Sequence, residues 1–377
     1  HGVWNTELPV RPRWEDGTPA HTVKLFGVVN RYDLRKEFPV LTVRRQYFKS
    51  AVDELLWIWQ KKSNDVHQLS SHVWDAWADE NGSIGKAYGY QLGIKHRYPE
   101  GEMDQVDRVL WSLKQDPASR RILTNLYNHH DLSEMALYPC AYSMTFNVSG
   151  NVLNGILNQR SQDMLTANGW NVMQYAALLC MMAQVSGLVP GELVHVIADA
   201  HIYDRHIPVV EALLKLARLD AGRVAFKKER VPLFAVARKA AAAVAVPMEM
   251  KEQSLRFLGD DEAAFFGDAA WTAEALANVL KNCMEHTPKG GSISVSWREN
   301  AVFSEFTVKD GGPGIPKEEL TRLFERFYRG SGAAQGSAGI GLALSRSIIS
   351  AQNGTIKAES GREGGARFTI RFYKSCV

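Results

Sequence analysis

Two glycine clusters in the C-terminal part of the chain divide the sequence into unlike halves. DGGPG and GIG lie within residues 220–377, whereas residues 1–210 are rich in Trp and His and mix helical with strand-like patterns. Between them, Leu213–Gly222 has apolar residues at helical spacing and ends in a glycine, the usual helix stop. A chain of 377 residues has room for two or three domains. We therefore expect a domain over 1–210, a helical linker over 211–230 and a domain over 231–377.

The charge balance and the cysteines exclude several classes of protein. The net charge is only +3, which is too small to indicate a nucleic acid or an anionic membrane as partner. Four cysteines lie far apart without a CxxC pair, which is typical of reduced thiols in a cytoplasmic protein. The most apolar stretch, Val172–Val189, is interrupted by polar residues, and this favours a buried core helix over a membrane segment.

Hydrophobic periodicity predicts an α+β fold with a large sheet in the first half. Ser50–Lys61 has its apolar residues on one face, Gly169–Gly187 is a long apolar helix, and Leu193–Ile202 alternates as a strand does.

Cys140 is the centre of the first group of candidate site residues. A lone cysteine is more often a small buried hydrophobe than a nucleophile. Arg160 follows a predicted strand in QRSQD, and Arg120 and Arg121 form SRR before another. Arginine forks match phosphate oxygens, and a guanidinium near a thiol lowers the thiol pKa and supplies thiolate. Singly, each of these residues is also compatible with an ordinary surface ion pair.

Taken together, the motifs from about residue 11 to about residue 210 resemble thymidylate synthase. They occur in the family's order: DGTPAHT, ELLWIW, HVWDAW, AYGYQ, SRR, PC, QRSQD, NVMQYAALL and DAHIYDRH. The resemblance implies a sheet-and-helix domain that forms a homodimer and methylates dUMP with methylenetetrahydrofolate.

The resemblance also assigns roles residue by residue. Cys140 would be the nucleophile that attacks C6 of the uracil, and a thiolate suits this step because it adds and leaves again. Glu54 and Tyr88 would serve proton transfer and ordered water, and Arg160 would hold the nucleotide phosphate. The other binding residues implied are Ser161 for the same phosphate, Arg120 and Arg121 for that phosphate from the partner subunit, Asn171 for the uracil amide edge, His201 and Tyr203 for the sugar hydroxyl, Asp163 and Trp74 for the folate, and Trp77 as a weaker folate candidate.

Three features depart from the family pattern. Ala141 stands where the family usually has His, and Ala198 replaces the usual Gly before the Asp of DAHIY. The family's continuation beyond the His–x–Tyr strand, which carries another sugar-binding tyrosine and a closing tail, is not recognisable after His206. Because closure excludes water and completes such a site, we expect nucleotide binding to persist more readily than catalysis.

The second group of candidate residues lies around the glycine clusters. Asn278 and Asn282 are four apart and share a helix face, and KDGGPGIP, FERFYRG and GSAGIGLALS follow in that order. A single glycine doublet is most often a turn, but four ordered motifs indicate a nucleotide site. An aspartate accepts from an adenine amino group, glycines let backbone N–H groups approach phosphates, and an amide oxygen can ligate Mg²⁺.

These motifs resemble the ATP-binding domain of sensor histidine kinases, a Bergerat-type α/β sandwich, over about residues 231–373. The resemblance implies ATP and Mg²⁺ as ligands and a response regulator as partner. Asn at 278, where related hydrolases have Glu, favours phosphoryl transfer over hydrolysis, since an amide is no general base. The implied ATP-site residues are Asn278 for the phosphates, Asn282 for Mg²⁺, Asp310 for adenine, Gly312, Gly314, Gly339 and Gly341 for the loops, and Arg326 and Arg329 beside a lid containing SGAAQGS.

The phosphoacceptor motif of that family is absent from the sequence, and His286 belongs to the Asn helix instead. Each half thus lacks family motifs at the junction, which favours a recombined, chimeric chain over a natural fusion. An alternative function is therefore an ATP-binding kinase fragment joined to an inactive synthase. A scaffold without either activity is the third alternative.

Overall fold

The chain folds into two compact units that divide between Ile207 and Pro208. Each unit contains helices and a sheet, as the α+β prediction requires. No helix in the ranges that the structure describes is long and apolar enough to cross a bilayer. The computed structural model describes residues 2–42, 46–330, 339–361 and 364–374.

A seven-stranded sheet is the framework of the first unit. Its strand order is β1-β2-β9-β7-β6-β5, and β8 pairs with the end of β9. β7 and β9 run parallel, whereas β6 and β7 form an antiparallel hairpin. The strands of this unit are β1 (Val3–Trp4), β2 (Thr22–Asp33), β3 (His96–Tyr98), β4 (Gly101–Met103), β5 (Leu123–Asn125), β6 (Ala141–Ser149), β7 (Val152–Gln159), β8 (Gln162–Asp163) and β9 (Val189–Tyr203).

The central helix of the first unit is apolar on nearly all sides and is therefore buried. It spans Asn168–Ser186 and ends at Gly187, whose φ of 71° is the left-handed conformation that glycine adopts without steric cost. The predicted helix Gly169–Gly187 and the predicted strand Leu193–Ile202 are confirmed. The helices of this unit are α1 (Phe48–Trp59), α2 (Gly89–Gly93), α3 (Gln105–Gln115) and α4 (Asn168–Ser186).

The two faces of the large sheet differ. One face is buried with α1 and α4 in a shared core that includes Leu153, Leu157 and Leu193. On the other face, Val29 lies opposite Val196 in the sheet register, and Val29 is 53% exposed. Because side chains alternate across a strand, the sheet has a second, partly exposed apolar side within its own unit.

The second unit is built on a five-stranded sheet of order β11-β13-β14-β16-β15 and a small β10–β12 ribbon. Helix α5 ends at Asp220, and Gly222, with a φ of 63°, follows it. Residues 223–228 form neither helix nor strand, so α5 accounts for the predicted linker only as far as Asp220. Its elements are α5 (Ile207–Asp220), β10 (Glu229–Pro232), α6 (Leu233–Ala242), α7 (Ala245–Met250), β11 (Ser254–Gly259), β12 (Ala264–Gly267), α8 (Ala269–His286), β13 (Ser292–Glu299), β14 (Phe303–Asp310), α9 (Gly341–Ala351), β15 (Gly354–Ser360) and β16 (Ala366–Tyr373).

Candidate active site

Cys140 and Arg160 lie side by side at the open end of the β6–β7 hairpin. Ala141, the first residue of β6, is registered against Gln159, the last residue of β7, so the residues just outside the hairpin face each other. The Arg160 backbone N–H donates to the Cys140 carbonyl at 2.9 Å. Its Nη2 lies 3.8 Å from the Cys140 Sγ. The pairing predicted from two separate motifs is thus present in the structure.

The Arg160 guanidinium is held by backbone carbonyls. Its Nε donates to the Pro139 carbonyl at 3.0 Å and its Nη2 to the Tyr138 carbonyl at 2.8 Å. These bonds fix the guanidinium against the segment that carries the thiol. Arg160 therefore has fewer free donors for a phosphate than the sequence suggests.

The net direction of the Cys140 pKa differs from our expectation. Burial raises the pKa of the thiol above its ordinary value, and the nearby Arg160 guanidinium only partly offsets this. The predicted lowering by arginine is present, but desolvation of the thiolate outweighs it. In the ligand-free protein the thiol is therefore the dominant form at neutral pH.

Alkylation of Cys140 should therefore depend steeply on pH. We expect slow reaction with iodoacetamide at pH 7, with the rate rising about tenfold per pH unit and no plateau below about pH 9, because only the thiolate reacts. Mass spectrometry of the Cys140 peptide would separate this signal from the other thiols. An Arg160→Met variant should react more slowly still, since it removes the charge that favours the thiolate. A plateau below about pH 9 would contradict this account.

Glu54 is a buried carboxylate that accepts three side-chain hydrogen bonds. The Trp74 indole N–H donates to one oxygen at 2.7 Å, and the Trp170 indole and the Gln174 amide donate to the other, the amide at 2.9 Å. Burial raises the pKa of Glu54, and the three donors partly oppose that rise. A proton on this carboxyl group is therefore less costly than on an exposed glutamate, as proton transfer near neutral pH requires.

The hydrogen bond from Trp74 to Glu54 bears on the predicted folate role of Trp74. Trp74 is only 7% exposed, and its indole N–H donates to Glu54. Trp77 is 44% exposed, and its ring lies 5.7 Å from that of Trp74. The aromatic surface that solvent can reach therefore belongs to Trp77, the residue that the sequence ranked lower.

Tyr88 connects this cluster to the thiol segment. Its hydroxyl accepts the backbone N–H of Cys140 at 3.2 Å, and its ring lies 5.1 Å from Trp74. Its φ of 45° is unusual for a side chain of this size. Burial raises the pKa of Tyr88 well above the ordinary range, so the hydroxyl keeps its proton.

The predicted sugar-binding residues lie at the end of β9. The His201 Nδ1–H donates to the Asp199 carboxylate at 2.9 Å, and the His201 ring centre is 5.4 Å from that of Tyr203. Burial raises the pKa of Tyr203, and the charge of Asp163 adds to this effect. Arg11, which had no role in the sequence analysis, acts on the pKa of Tyr203 in the opposite direction and therefore lies within electrostatic range.

Asp163 has a structural task in addition to its predicted folate role. Its Oδ1 accepts the backbone N–H groups of Leu165 and Thr166, at 2.9 and 3.0 Å, and its Oδ2 accepts the Thr166 hydroxyl. This carboxylate therefore shapes the turn that leads into α4.

Arg120 and Arg121 remain available for a ligand. Both are exposed and form no hydrogen bond or ion pair with the residues that the structure describes. Ser161 is half-buried beside Arg160. The prediction that both arginines act on a partner subunit's phosphate is compatible with this exposure.

Sequence reasoning missed a buried polar network around Asn171. The Asn171 Nδ2 donates to Gln162 Oε1 at 3.1 Å, Gln159 Nε2 donates to the same oxygen, and His195 Nε2 lies 2.7 Å from Gln159 Oε1. These residues come from α4, β8, β7 and β9. One signal was present in the sequence: His195 stands at an inward position of a strand that is otherwise apolar on that side.

In the second unit, the two asparagines of α8 differ in their surroundings. The Asn278 Nδ2 is buried and has no hydrogen-bond partner among the described residues, although a buried donor normally has one. Gly341 begins α9, and a Cβ there would lie 3.6 Å from the Asn278 amide carbon. Asn282 is half-buried and its amide forms no hydrogen bond with described residues. An unsatisfied amide next to a helix N-terminus fits an oxyanion such as a phosphate.

Asp310 is held rigidly at the end of β14. Its Oδ1 accepts the backbone N–H groups of Gly312 and Ala366, both at 2.9 Å. A Cβ on Gly312 would lie 3.0 Å from the Asp310 Oδ1, so a larger residue would crowd this carboxylate. Cys283 is fully buried, and after burial itself the charge of Asp310 is the next cause that raises the pKa of its thiol.

The other residues predicted for the ATP site are loop glycines and the arginines beside the lid. Gly314 and Gly339 have φ values of 88° and 63°, and a Cβ on Gly339 would meet the Tyr328 carbonyl at 2.4 Å. Arg326 pairs with Asp220 of α5 at 2.6 Å, a contact that the sequence did not indicate. Arg329 is engaged with other groups. The predicted lid, residues 331–337, lies outside the described residues.

A magnesium ligand set is not evident from side chains alone. Within the described ranges, no group of three or more His, Cys, Asp or Glu side chains is arranged to hold a metal ion. The role of Asn282 as a Mg²⁺ ligand therefore stays a prediction.

Comparison with known proteins gives two family matches. Residues 9–240 match the family model described as thymidylate synthase. Residues 267–375 match the model described as histidine kinase-, DNA gyrase B- and HSP90-like ATPase.

Individual relatives match the first region. The thymidylate synthase of Bacillus phage phi3T is 44% identical over 226 residues, which are 59% of this chain and 81% of the relative. The thymidylate synthase of Bacillus licheniformis is 45% identical over 228 residues, with the same coverage. The solved structure of thermostable thymidylate synthase A from Bacillus subtilis is 43% identical, with a TM-score of 0.55, and the match covers 56% of this chain and 78% of that one.

Proposed function

Because the chain belongs to the thymidylate synthase family and also carries a histidine-kinase-type ATPase domain, we propose that it methylates dUMP to dTMP and binds ATP in a separate domain. The observation that carries the first part is the contact between the Cys140 thiol and the Arg160 guanidinium at 3.8 Å. A nucleophile beside a fixed cation is the arrangement that addition to an anionic nucleotide needs.

Cys140 is the proposed nucleophile. The Cys140 thiolate would add to C6 of the uracil ring, which makes C5 nucleophilic toward the one-carbon unit. After C5 has bonded to that unit, the C5 proton would pass to a base, and the C6–S bond would break so that the C5–C6 double bond is restored. Since burial raises the pKa of the thiol, a neighbouring cation has to offset part of the cost of forming the thiolate, and the Arg160 guanidinium does so. We therefore assign Arg160 two tasks, holding the phosphate through its free N–H groups and stabilising the thiolate.

The proposed proton-transfer groups lie behind the thiol segment. Glu54, with its raised pKa, is the candidate acid and base, and Tyr88 is the candidate for ordering water because its hydroxyl already accepts the Cys140 N–H. His201 and Tyr203 are proposed for the sugar hydroxyl, and Arg120, Arg121 and Ser161 for the phosphate.

The aromatic side chains of Trp74 and Trp77 suit the pterin ring of the folate. When bound, methylenetetrahydrofolate supplies the one-carbon unit and the electrons that reduce it to methyl. Trp77 is 44% exposed next to the buried Trp74, so its ring can stack on a pterin. In this proposal Trp74 packs beneath Trp77 and is held by its hydrogen bond to Glu54. Asp163 stabilises the turn that leads into α4.

The direct test is tritium release from dUMP that carries tritium at C5. The intact chain, incubated with methylenetetrahydrofolate, should release tritium to water. A folded chain that binds dUMP and releases none would contradict the proposed reaction.

We further propose that the chain forms a homodimer through the open face of the large sheet. Val29, Ile156 and Val194 lie on that face and are exposed or half-exposed, and Ile156 is registered against Val194. An exposed apolar sheet face commonly marks an interface. Arg120 and Arg121 would then reach the phosphate of the other subunit.

Lysine at positions 29 and 156 should break this dimer. Burying two ammonium groups costs several kcal/mol each. We expect analytical ultracentrifugation to show twice the 42.1 kDa chain mass for the unmodified chain and a single chain for V29K/I156K. Tritium release should be lost as well. V246K/V302K is the matched control, because it also adds two lysines, at exposed valines of the second unit. A variant that stays dimeric would exclude this face as the interface.

The second domain is proposed to bind ATP with Mg²⁺. The buried Asn278 Nδ2, which has no hydrogen-bond partner among the described residues, supports phosphate recognition, and the rigid Asp310 carboxylate supports adenine recognition. Asn282 would contribute one amide oxygen to Mg²⁺, with phosphates and water completing the shell. A response regulator is the proposed partner of this domain, with a histidine on another molecule as phosphoryl acceptor.

A cytoplasmic location is part of the same proposal. Cys140, Cys180 and Cys283 are free thiols, as expected in a reducing compartment.

The alternative function, an ATP-binding fragment joined to an inactive synthase, differs in one experimental outcome, since it predicts ATP binding without tritium release.

A further inference from the structure

The two outer strands of the five-stranded sheet in the second unit differ in character. β11 and β15 are these outer strands, so each pairs with a neighbour on one side only. β15 carries Lys357 and Glu359, and such charged side chains commonly protect a sheet edge from further pairing. β11 has one charged residue, Arg256, and its Phe257 and Leu258 are 37% and 61% exposed. The β11 edge is therefore the more apolar and the less protected of the two.

The backbone of β11 also has groups that the sheet leaves unpaired. β11 pairs in parallel with β13 from Ser254 to Gly259, and no other strand in the described ranges pairs with it. Successive residues of a strand turn their N–H and C=O groups to opposite sides, so alternate residues of β11 point these groups away from β13. An added strand is the partner that satisfies such a row of donors and acceptors.

A groove of about 570 Å³ lies between β11 and the helices α6 and α7. Its volume is within the range of ligand pockets, about 300–1,000 Å³. Leu255 and Phe257 line the groove from the strand. The helical wall includes three small side chains, those of Ala241, Ala242 and Ala245. A peptide paired with β11 would direct alternate side chains into this groove, as in domains that bind peptides by strand addition.

A positive charge lies toward the C-terminal end of β11. The guanidinium carbon of Arg238, which lines the groove, lies 5.6 Å from the centre of the Phe234 ring. That ring centre is 5.7 Å from the ring centre of Trp297. Trp297 is registered against Gly259, the last residue of β11. Arg238 is therefore placed to meet an acidic side chain of a peptide at this end.

A negative charge lies toward the N-terminal end of β11. Glu249 lines the groove and follows Met248, whose carbonyl accepts the Gln253 N–H at 2.9 Å just before β11 begins. Neither Glu249 nor Arg238 forms an ion pair with a described residue. The groove thus has opposite, uncompensated charges at its two ends, which favours a peptide with the complementary charges.

We propose that β11 and this groove bind an extended segment of another protein as an added strand, with an acidic side chain beside Arg238 and a basic one beside Glu249. The free backbone groups of β11 select an extended chain, and the apolar groove selects its alternate side chains. This binding goes beyond the proposed ATP site, because neither Arg238 nor Glu249 belongs to that site.

Fluorescence anisotropy with two labelled octapeptides tests this binding on the intact chain. One peptide runs from lysine through alternating valine and threonine to glutamate, and the other is its reverse, so the pair covers both strand directions. At least one should bind with a Kd of about 100 µM or tighter. An analogue with methylated backbone nitrogens should bind at least about tenfold more weakly, because it lacks the donors that pair with β11.

Filling the groove should abolish most of this binding. We expect Ala245→Trp to weaken the binding of the peptide at least about tenfold, since the indole would occupy the space of the peptide side chains. Ala243→Trp is the matched control, because Ala243 is an exposed alanine that does not line the groove. It should keep the affinity within about twofold.

The charge at Arg238 gives a second pair of variants, which decides the question if Ala245→Trp does not fold. Arg238→Glu should weaken binding about fivefold, because it places a like charge beside the glutamate of the peptide. Lys239→Glu makes the same change at the next residue of α6, which is exposed and does not line the groove. It should change the affinity by less than about twofold.

Three results would overturn the proposal. The first is a failure of both octapeptides to saturate the chain below about 1 mM. The second is equal binding of the methylated analogue, which would mean that the groove accepts apolar groups without strand pairing. The third is a lower sedimenting mass for Ala245→Trp than for the unmodified chain without any peptide binding, which would assign the groove to a second copy of the chain.

Discussion

Replacing Cys140 by serine should abolish tritium release from dUMP labelled at C5. We expect a rate at least about a thousandfold lower, as for the loss of a catalytic nucleophile in other enzymes. A serine hydroxyl is far less acidic than a thiol, and the buried position that raises the thiol pKa would disfavour an alkoxide still more. The adduct at C6 would therefore not form at a useful rate.

The same variant should still bind dUMP. Its proposed phosphate contacts come from Arg160, Ser161 and two arginines of the other subunit, and none depends on the sulfur. Calorimetry should therefore show dUMP affinity within about threefold of the unmodified chain. Cys180→Ser is the matched control, because Cys180 is a half-buried thiol of α4 with no predicted role. Tritium release by C140S near the unmodified rate would exclude Cys140 as the nucleophile.

Much of the framework was predictable from sequence because its signals are local. The long apolar run in α4 and the alternation along β9 are properties of consecutive residues, and the structure confirms both. Ordered motifs also identified both domains, and the family matches confirm these resemblances. The exact domain ranges and the roles of single site residues stay predictions.

The parts that sequence could not supply depend on tertiary packing. The net pKa direction at Cys140 is a balance between burial and Arg160, and burial is unknown before the fold. Asp220 and Arg326 are far apart in sequence, so no local pattern indicated their ion pair. The network that ends at His195 likewise joins strands whose register only the fold defines.

The second large effect is expected at Asp310. Its Oδ1 accepts the Gly312 and Ala366 N–H groups, and in the proposed site a carboxylate oxygen of Asp310 accepts the adenine amino group. In Asp310→Asn, the amide oxygen would keep the two backbone donors and the NH₂ group would face the adenine amino group. Two donors would then oppose each other, so we expect ATP affinity to fall about tenfold to a hundredfold.

The base specificity should change in the same variant. Guanine has a carbonyl where adenine has its amino group, so the Asp310→Asn substitution should be less unfavourable for GTP binding than for ATP binding. Calorimetry with Mg²⁺ and each nucleotide measures both affinities. Asp261→Asn removes an exposed carboxylate in the same unit and should change neither. If Asp310→Asn binds ATP as the unmodified chain does, adenine is not read by this carboxylate; if its relative preference for GTP rises while ATP binding falls, the carboxylate reads the base directly.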